Sequence, residues 1–469
     1  MIRILLSIVL AVICLTGCST MAPDYNRPVS PIPGQWPTGL AYKEIAANEK
    51  VAAADIGWRE FYIDKNLQKV IGLALTNNRD LRVATLNIEK ARALYGIQRA
   101  ELFPAINATG NWTEQRIPAD ISSESGEAMN FKQYSVNAGV SSWEIDLFGR
   151  IRSLKDRALE QYLATEQARC SAQILLAAEV ANTYLALAAD RENLKLAQST
   201  LDAQQTTYKL IQRRYEVGAS SELDLRLAQT RLDAARVDIA RYTRQVALDE
   251  NALNLLVGSP VPAELQPGGL NSVASPKDVS PGLSSEVLLN RPDILQAEHG
   301  LRAANANIGA ARAALFPRIA LTTNYGTTSN DLSGLFRAGS NTWIFMPQIT
   351  MPIFDARLWS ALDAIKVERE IVLAQYEKAI QTAFRETADT LAQKGTVEDQ
   401  MKAQESLVNA SSETYRLSDA RYKSGTDSYL PVLDAQRSFY SAQQGLIAVR
   451  LARFANLVTL YKVLGGGGK

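Results

Sequence analysis

One histidine and three cysteines stand among 469 residues. Cys14 and Cys18 fall at the extreme N-terminus, which leaves Cys170 alone in the body of the chain. A single thiol cannot build an intrachain disulfide framework, and one histidine beside it cannot form a Cys/His metal cluster. His299 opens a helical run and is expected to be a packed or solvated residue. Net charge is missing too. Lys and Arg number 50 and Asp and Glu 49, so neither a nucleic-acid partner nor a strongly acidic substrate is implied. No run of about 18 consecutive apolar residues follows the N-terminal leader, so no transmembrane helix is expected. No nucleophile motif, phosphate loop or metal-ligand spacing stands out, and the chain is not expected to be an enzyme.

Proline is absent from Arg150 to Val217 and again from Asp355 to Lys423. In the first run Val180, Leu187, Leu194, Leu201, Tyr208 and Tyr215 recur at every seventh position. A sustained seven-residue period lays one narrow apolar stripe along a helix and supercoils it against a neighbour. Such a rod is on the order of 100 Å long at 1.5 Å per residue. About 207 positions on, Met401, Val408, Tyr415 and Tyr422 repeat the stripe. Each rod stops at a glycine, Gly218 or Gly425, and a returning helix follows. Leu225, Leu232, Ile239, Val246 and Leu253 mark the first return, with Ser221 as N-cap and Asp224 in the dipole-favoured first turn. Val432, Phe439, Leu446 and Leu460 mark the second.

Before each rod the period changes from 3.6 to 2. Ile106, Ala108, Gly110 and Trp112 alternate with Asn107, Thr109, Asn111 and Thr113. Tyr134, Val136, Ala138 and Val140 alternate with Ser135, Asn137, Gly139 and Ser141. Ile319, Leu321, Thr323 and Tyr325, then Trp343, Phe345, Pro347 and Ile349, form the second hairpin. One face is apolar and the other small, polar and uncharged. That suits a soluble half-buried hairpin or the wall of a water-filled barrel.

The start of the chain reads as a secretory leader, with Arg3 followed by the apolar stretch Ile4 to Leu15. It ends in Leu15-Thr16-Gly17-Cys18, which resembles the lipobox of bacterial lipoproteins. That resemblance implies cleavage before Cys18 and a covalent lipid on its thiol, with no other cofactor. Ser19 behind it implies export to the outer membrane. Residues 1–17 are therefore read as a lipoprotein signal peptide and 18–65 as an extended, equatorial segment. The first repeat covers 66–258: a helix, a hairpin over 103–148, the long helix 150–217 and the return helix 221–257. A linker, 259–283, precedes the second repeat, 284–464. This has a helix, a hairpin over 317–354, the long helix 355–423 and the return helix 427–463. Residues 465–469 are expected to be a frayed tail.

Four strands cannot close a barrel, and an open edge cannot sit in lipid. The barrel must then be shared, with eight strands from two copies or twelve from three; a lumen wide enough for solutes favours three. Several motifs carry a family resemblance. They are the lipobox, Leu102-Phe103-Pro104 with Leu315-Phe316-Pro317, Trp143 through Arg150, Arg421-Tyr422 with Gly425, and Leu433-Asp434-Ala435-Gln436-Arg437-Ser438. Together they resemble the outer membrane factors of tripartite efflux pumps, in the OprM-like lipoprotein branch of the TolC family, across the whole mature chain. The resemblance implies a mainly α fold with a small transmembrane β part. Strand-hairpin and long-helix repeats would form a trimeric 12-stranded β-barrel continued by a 12-helix periplasmic α-barrel.

The implied function is a passive exit duct for drugs or other small toxic solutes. The implied partners are a homotrimer of this chain, a periplasmic adaptor, a resistance-nodulation-division transporter and outer membrane lipid. An outlet for type I protein secretion is an alternative, as is a structural coiled-coil lipoprotein; the lipobox speaks against the first and the hairpins against the second. The turns at Gly218, Ser220, Ser424 and Gly425 would meet the adaptor. The family's gate maps onto Leu430 and Asp434, and its latch between helices onto Asp224 and Tyr422. Asp427 departs from the pattern, standing where the best-known member carries an arginine. The loops Ile117 to Asn130 and Ser329 to Gly339 would face outward from the cell.

Overall fold

The computed structural model describes residues 20–42, 53–120, 128–282 and 284–468. Cys18, Ser19 and the middle of the loop after Ile117 lie outside the described residues. Two compact units divide the chain. One contains Met1–Val29, Asn87–Glu166 and Gln296–Tyr376; the other contains Ser30–Leu86, Gln167–Leu295 and Glu377–Lys469.

Helix α1, Lys65–Asn77, starts where the Asp64 carboxylate accepts the Leu67 N–H at 2.8 Å. Asn78 then separates it from α2, Arg79–Ala100. The Asn78 side chain accepts the Leu81 N–H at 2.9 Å and donates to the Leu256 carbonyl at 2.9 Å. The break between α1 and α2 at Asn78 is thus an N-cap that also ties two helices together. Strands β1, Ile106–Ile117, and β2, Met129–Ile145, form the first hairpin. Helices α3, Arg150–Glu216, and α4, Glu222–Val257, are the first rod and its return. The second repeat supplies α5 (Pro292–Ala313), β3 (Arg318–Ser329), β4 (Asn341–Thr350), α6 (Ala356–Lys423) and α7 (Leu430–Val463).

In the first unit the two hairpins merge into one antiparallel sheet in the order β1-β2-β3-β4. The central pairing, β2 on β3, joins the repeats, and a bulge interrupts it between Val140 and Trp143. Ser142 there has φ 59°, the one non-glycine residue with positive φ among those described. The extra residue reverses the alternation. Val140, opposite Thr323, and Trp143, opposite Leu321, therefore share a face although they are three positions apart. At the foot of the sheet, Glu144 accepts two hydrogen bonds from Arg150, at 2.9 and 2.8 Å, and pairs with Arg318 at 2.5 Å. One buried carboxylate thus binds the end of β2, the start of α3 and the start of β3. His299 contacts Glu160 at 2.6 Å, a packed residue as expected.

In the second unit the proline-rich segments are bound rather than loose. Trp36 stacks on Phe384 at 5.6 Å, and Phe61 stacks on Tyr461 at 3.8 Å. The linker after α4 is held to α3. Arg191 donates to the Pro267 carbonyl at 2.7 Å and Glu192 accepts the Leu270 N–H at 3.0 Å. One stretch of α3 is long and apolar enough by composition to cross a membrane, but 61% of it is buried within the chain, as core would be. Val180 and Leu187 of its heptad stripe are fully buried, whereas Tyr215 near its end is 41% exposed.

Two expectations are corrected. The glycine tail is not frayed. Gly465 turns at φ 80°, Gly466 N–H reaches the Tyr461 carbonyl at 2.9 Å, and Gln173 donates to the Gly467 carbonyl at 3.1 Å. Lacking side chains, the glycines lie against the Tyr461 ring, where a Cβ on Gly466 would clash. The second return helix starts at Leu430, not at 427. Pro431 occupies its first turn, where a missing N–H is harmless, while Asp427 is held outside the helix by Arg421.

Asp249 of α4 is buried, and this burial, reinforced by Asp190 of α3, pushes its carboxyl up to about 6. The fold therefore favours the protonated acid. That stabilisation is complete below the ordinary carboxylate range and is lost as pH rises through about 6. Asp249→Asn is expected to match the wild type near pH 4 and to exceed it at neutral pH by on the order of 2–3 kcal/mol. Thermal unfolding followed across that range checks this.

Candidate functional site

Two constellations remain once the core is accounted for, a two-faced sheet in one unit and a double turn in the other. Cross-strand pairs place Ile106 beside Val140, Trp112 beside Tyr134, Tyr325 beside Trp343 and Ile319 beside Ile349. All lie on one face, and much of it is bare: Trp112 is 63% exposed, Trp343 72% and Ile349 68%. Beyond Trp112, toward the hairpin loop, the same face turns charged, with Lys132 3.2 Å from Glu114. Apolar band, aromatic row and charge follow one another in the order found from lipid core to water. The opposite face carries Asn107, Thr109, Asn111, Ser135, Asn137, Asn324 and Thr328. Its charged groups gather at the foot, in the Glu144–Arg150–Arg318 cluster. Asn137 lies over Gly326 and Asn324 over Gly139, so the pairing of the two repeats is reciprocal. Among the described residues, the outer strands β1 and β4 have no partner on their free edges.

The double turn is built twice from one plan. Gly218, at φ 75°, donates to the Tyr215 carbonyl at 2.9 Å while Ala219 reaches Arg214 at 2.7 Å. Gly425, at φ 76°, donates to Tyr422 at 3.0 Å while Thr426 reaches Arg421 at 3.0 Å. Left-handed glycines close both rods in this way. Ser220 donates to Asp224 at 3.2 Å, and Ser221 and Asp224 form a reciprocal capping box at the start of α4. Ser424 shares a 2.9 Å hydrogen bond with Thr426. Between the turns, Tyr429, Val432, Leu433, Ile211 and Ala228 form a buried cluster against which Tyr422, Tyr415 and Tyr208 pack.

Leu430 and Asp434 lie one turn apart on α7 and both face away from that cluster. Leu430 is 54% exposed, and the Asp434 side chain is exposed beside Arg437 at 3.4 Å. Asp224 and Tyr422 are not brought together within the chain. Asp224 is occupied by its cap, and the Tyr422 hydroxyl accepts from Arg214 at 3.2 Å, with the Arg214 guanidinium 5.3 Å from the ring. Asp427 is not an idle departure. Arg421 binds it through two hydrogen bonds, at 2.5 and 3.0 Å, and holds its carboxyl below the usual carboxylate range.

The profile of the outer membrane efflux proteins matches residues 70–259 and 283–466. The chain belongs to the outer membrane efflux protein family. Within the family, it is 49% identical to the probable efflux pump outer membrane protein TtgC of Pseudomonas putida, over 100% of this chain and 96% of that protein. It is 42% identical to the outer membrane protein OprJ of Pseudomonas aeruginosa, over 98% and 95%. Among solved structures it superposes on the open state of the Neisseria gonorrhoeae MtrE outer membrane channel with a TM-score of 0.86, at 37% identity, over 96% and 99% of the two chains. The mainly α architecture with a small β part is the architecture of these channels.

Sequence reading missed Arg214 and Tyr429, which organise the turn, and named Arg421 and the run containing Glu144 as family motifs without giving either a role. A signal existed for one of them, since Arg421 and Asp427 flank Gly425 with opposite charges. No period marks the others.

Apart from its chain neighbours, no atom of the described residues stands within 4 Å of a Cβ added at Gly425, so its cost there is conformational. Gly425→Val is expected to destabilise the second turn by about 1–2 kcal/mol. Faster amide exchange over residues 419–430, with residues 212–224 unchanged, is the readout.

Proposed function

We propose that the chain is the outer membrane exit duct of a tripartite efflux pump, a passive conduit for drugs or other small toxic solutes. The observation that carries this reading is the sheet: one bare apolar face, one mainly polar face whose charges gather at its foot, and, among the described residues, two unpaired edges on four strands. Such a sheet is not stable in lipid alone, because an open edge there leaves backbone groups unsatisfied. Further copies of the chain close it. Three copies make twelve strands with the polar faces inward, and the same three bring twelve helices together as a periplasmic tube. Apolar residues left bare along the helices, among them Val237 at 66% and Leu255 at 79% exposed, support burial between copies.

On this reading the loops that join the strands of each hairpin face the outside of the cell, and the double turn points toward a periplasmic adaptor and a resistance-nodulation-division transporter. Gly218, Ser220, Ser424 and Gly425 are the adaptor-contact positions. Their exposed, paired glycine turns support this, because they offer two similar surfaces from one chain. Leu430 and Asp434 form the gate, an apolar ring beside an anionic one once three copies share an axis. Their common face and exposure in the single chain support it. Asp224 and Tyr422 then meet between neighbouring copies rather than within one. Cys18 carries the lipid anchor. No step of this transport requires catalysis by the chain, and the transporter selects the cargo.

Reconstituted in a planar bilayer, the wild type is expected to conduct poorly and to prefer cations. Leu430→Ala combined with Asp434→Ala is expected to raise conductance and lower cation preference; wild-type behaviour of that variant places the gate elsewhere. Independently, Cys18→Ala is expected to abolish palmitate labelling and to accumulate uncleaved precursor, and normal labelling of that variant contradicts the anchor.

A further inference from the structure

The foot of the sheet is written twice in the sequence and completed once in the chain. Phe148 follows β2 and Phe316 precedes β3, and their rings stack at 5.0 Å across the seam where the repeats join. Duplication supplies each ring again. Leu315-Phe316-Pro317 before β3 copies Leu102-Phe103-Pro104 before β1, and Ile353-Phe354 after β4 copies Leu147-Phe148 after β2. The second pair of rings is divided between the two outer edges of the sheet, with Phe103 66% and Phe354 91% exposed. Ile106, Met351 and Ile353 beside them are bare as well. An apolar cluster split between two open edges is completed when one edge meets the other from a second copy.

The seam within the chain is a template for that meeting. It pairs Ile145 with Ile319 and Trp143 with Leu321. Counted from the phenylalanines, the corresponding pairs are Met351 with Ile106 and Ile349 with Ala108 of a neighbouring copy. Register is where such a transfer could fail, because a slip of one residue sends the apolar set of a strand to the wrong face. Here the faces agree. Ile349, Ile106 and Ala108 all belong to the apolar face, although nothing in the count required it. Strand β4 follows β3 without a bulge, so the register carries upward and sets Phe345 beside Trp112. The aromatic row then continues from copy to copy. The two seams differ in charge. The positions that match Glu144, Arg150 and Arg318 are Thr350, Ala356 and Ala105, so the buried clamp has no counterpart. Asp355 and Arg357, which flank Ala356, pair with each other at 2.8 Å.

We propose that the joint between copies is an uncharged replica of the joint within the chain, with Phe354 of one copy stacked on Phe103 of the next and Ile349 paired with Ala108. The proposal rests on the shared-barrel reading above and names the contacts that close it. Stacked rings contribute beyond the area they bury. With the clamp missing, they and the strand pairing hold the outer seam.

The test uses the full-length protein in lipid nanodiscs, with Cys170→Ser and the pair Ala108→Cys and Ile349→Cys. Mild oxidation is expected to link most chains into covalent trimers, because directly opposed Cβ atoms stand about 4.5–5.5 Å apart. Either cysteine alone is expected to give none, and Thr109→Cys with Ile349→Cys, one residue out of register, far fewer. Covalent trimers from the out-of-register pair instead overturn the seam, and so does their absence from chains that light scattering shows to be trimeric. Chains that stay single overturn the shared barrel itself, and the seam with it. For the stack, Phe103→Ala and Phe354→Ala are each expected to speed trimer dissociation in detergent roughly tenfold, and the double variant no further, since either change already removes the contact. Effects that multiply in the double variant mark two rings that face lipid separately and overturn the stack, as do single variants that dissociate like the wild type.

Discussion

Backbone N–H and C=O groups at the edge of a β-sheet find no water inside hydrocarbon, and each unsatisfied group there costs several kcal/mol. The sheet of this chain has two such edges, along β1 and β4, and one face of bare apolar and aromatic side chains. Nothing among the described residues pairs or covers them. The requirement that both edges be paired at once turns a four-stranded fragment into a share of a barrel, and it makes the chain a component rather than a complete channel. Apolar positions left bare on the helices obey the same logic in water, where the driving force is burial rather than backbone pairing.

The apolar face is continuous only because of an irregularity. Without the bulge at Ser142, Trp143 and Ile145 would point to the polar side and Glu144 to the apolar one. With it, Glu144 turns inward, where Arg150 and Arg318 neutralise it. A single inserted residue thus keeps charge off the face meant for lipid and at the same time supplies the clamp that fastens strand to helix. Truncating a carboxylate of this kind strands two guanidiniums, which is why such a cluster is costly to break although an isolated surface pair contributes little.

The double turn achieves near-identity of backbone with different side-chain chemistry. Both rods close on a left-handed glycine with the same pair of carbonyl contacts. After the first, Ser221 and Asp224 cap the return helix at once; after the second, Arg421 and Asp427 brace a longer connection and the helix waits for Leu430. The duplicated turns are therefore alike in backbone path and unlike in the side chains that brace them. That asymmetry leaves the exposed pair Leu430 and Asp434 at the start of the second return helix, with no counterpart capping box beneath them.

The rods, their returns, the alternating strands and the duplication of all of them were determined by the amino-acid sequence, because each is a period of seven or two that neighbouring positions reveal. The turn glycines and the Ser221 cap were legible for the same reason, being local backbone chemistry. Tertiary structure alone decided the pairing of β2 with β3, the bulge that reverses the strand faces, the Glu144 clamp, the burial of the glycine tail against Tyr461 and the contacts of residues 21–27 with α5. These join residues far apart in the chain, such as Met21 with Arg312 or Gln173 with Gly467. The Asp224 and Tyr422 match belongs to the same class, since two residues on different helices meet or do not meet according to how those helices pack. A local period says which face of an element is buried; which partner buries it is a property of the folded chain and its neighbours.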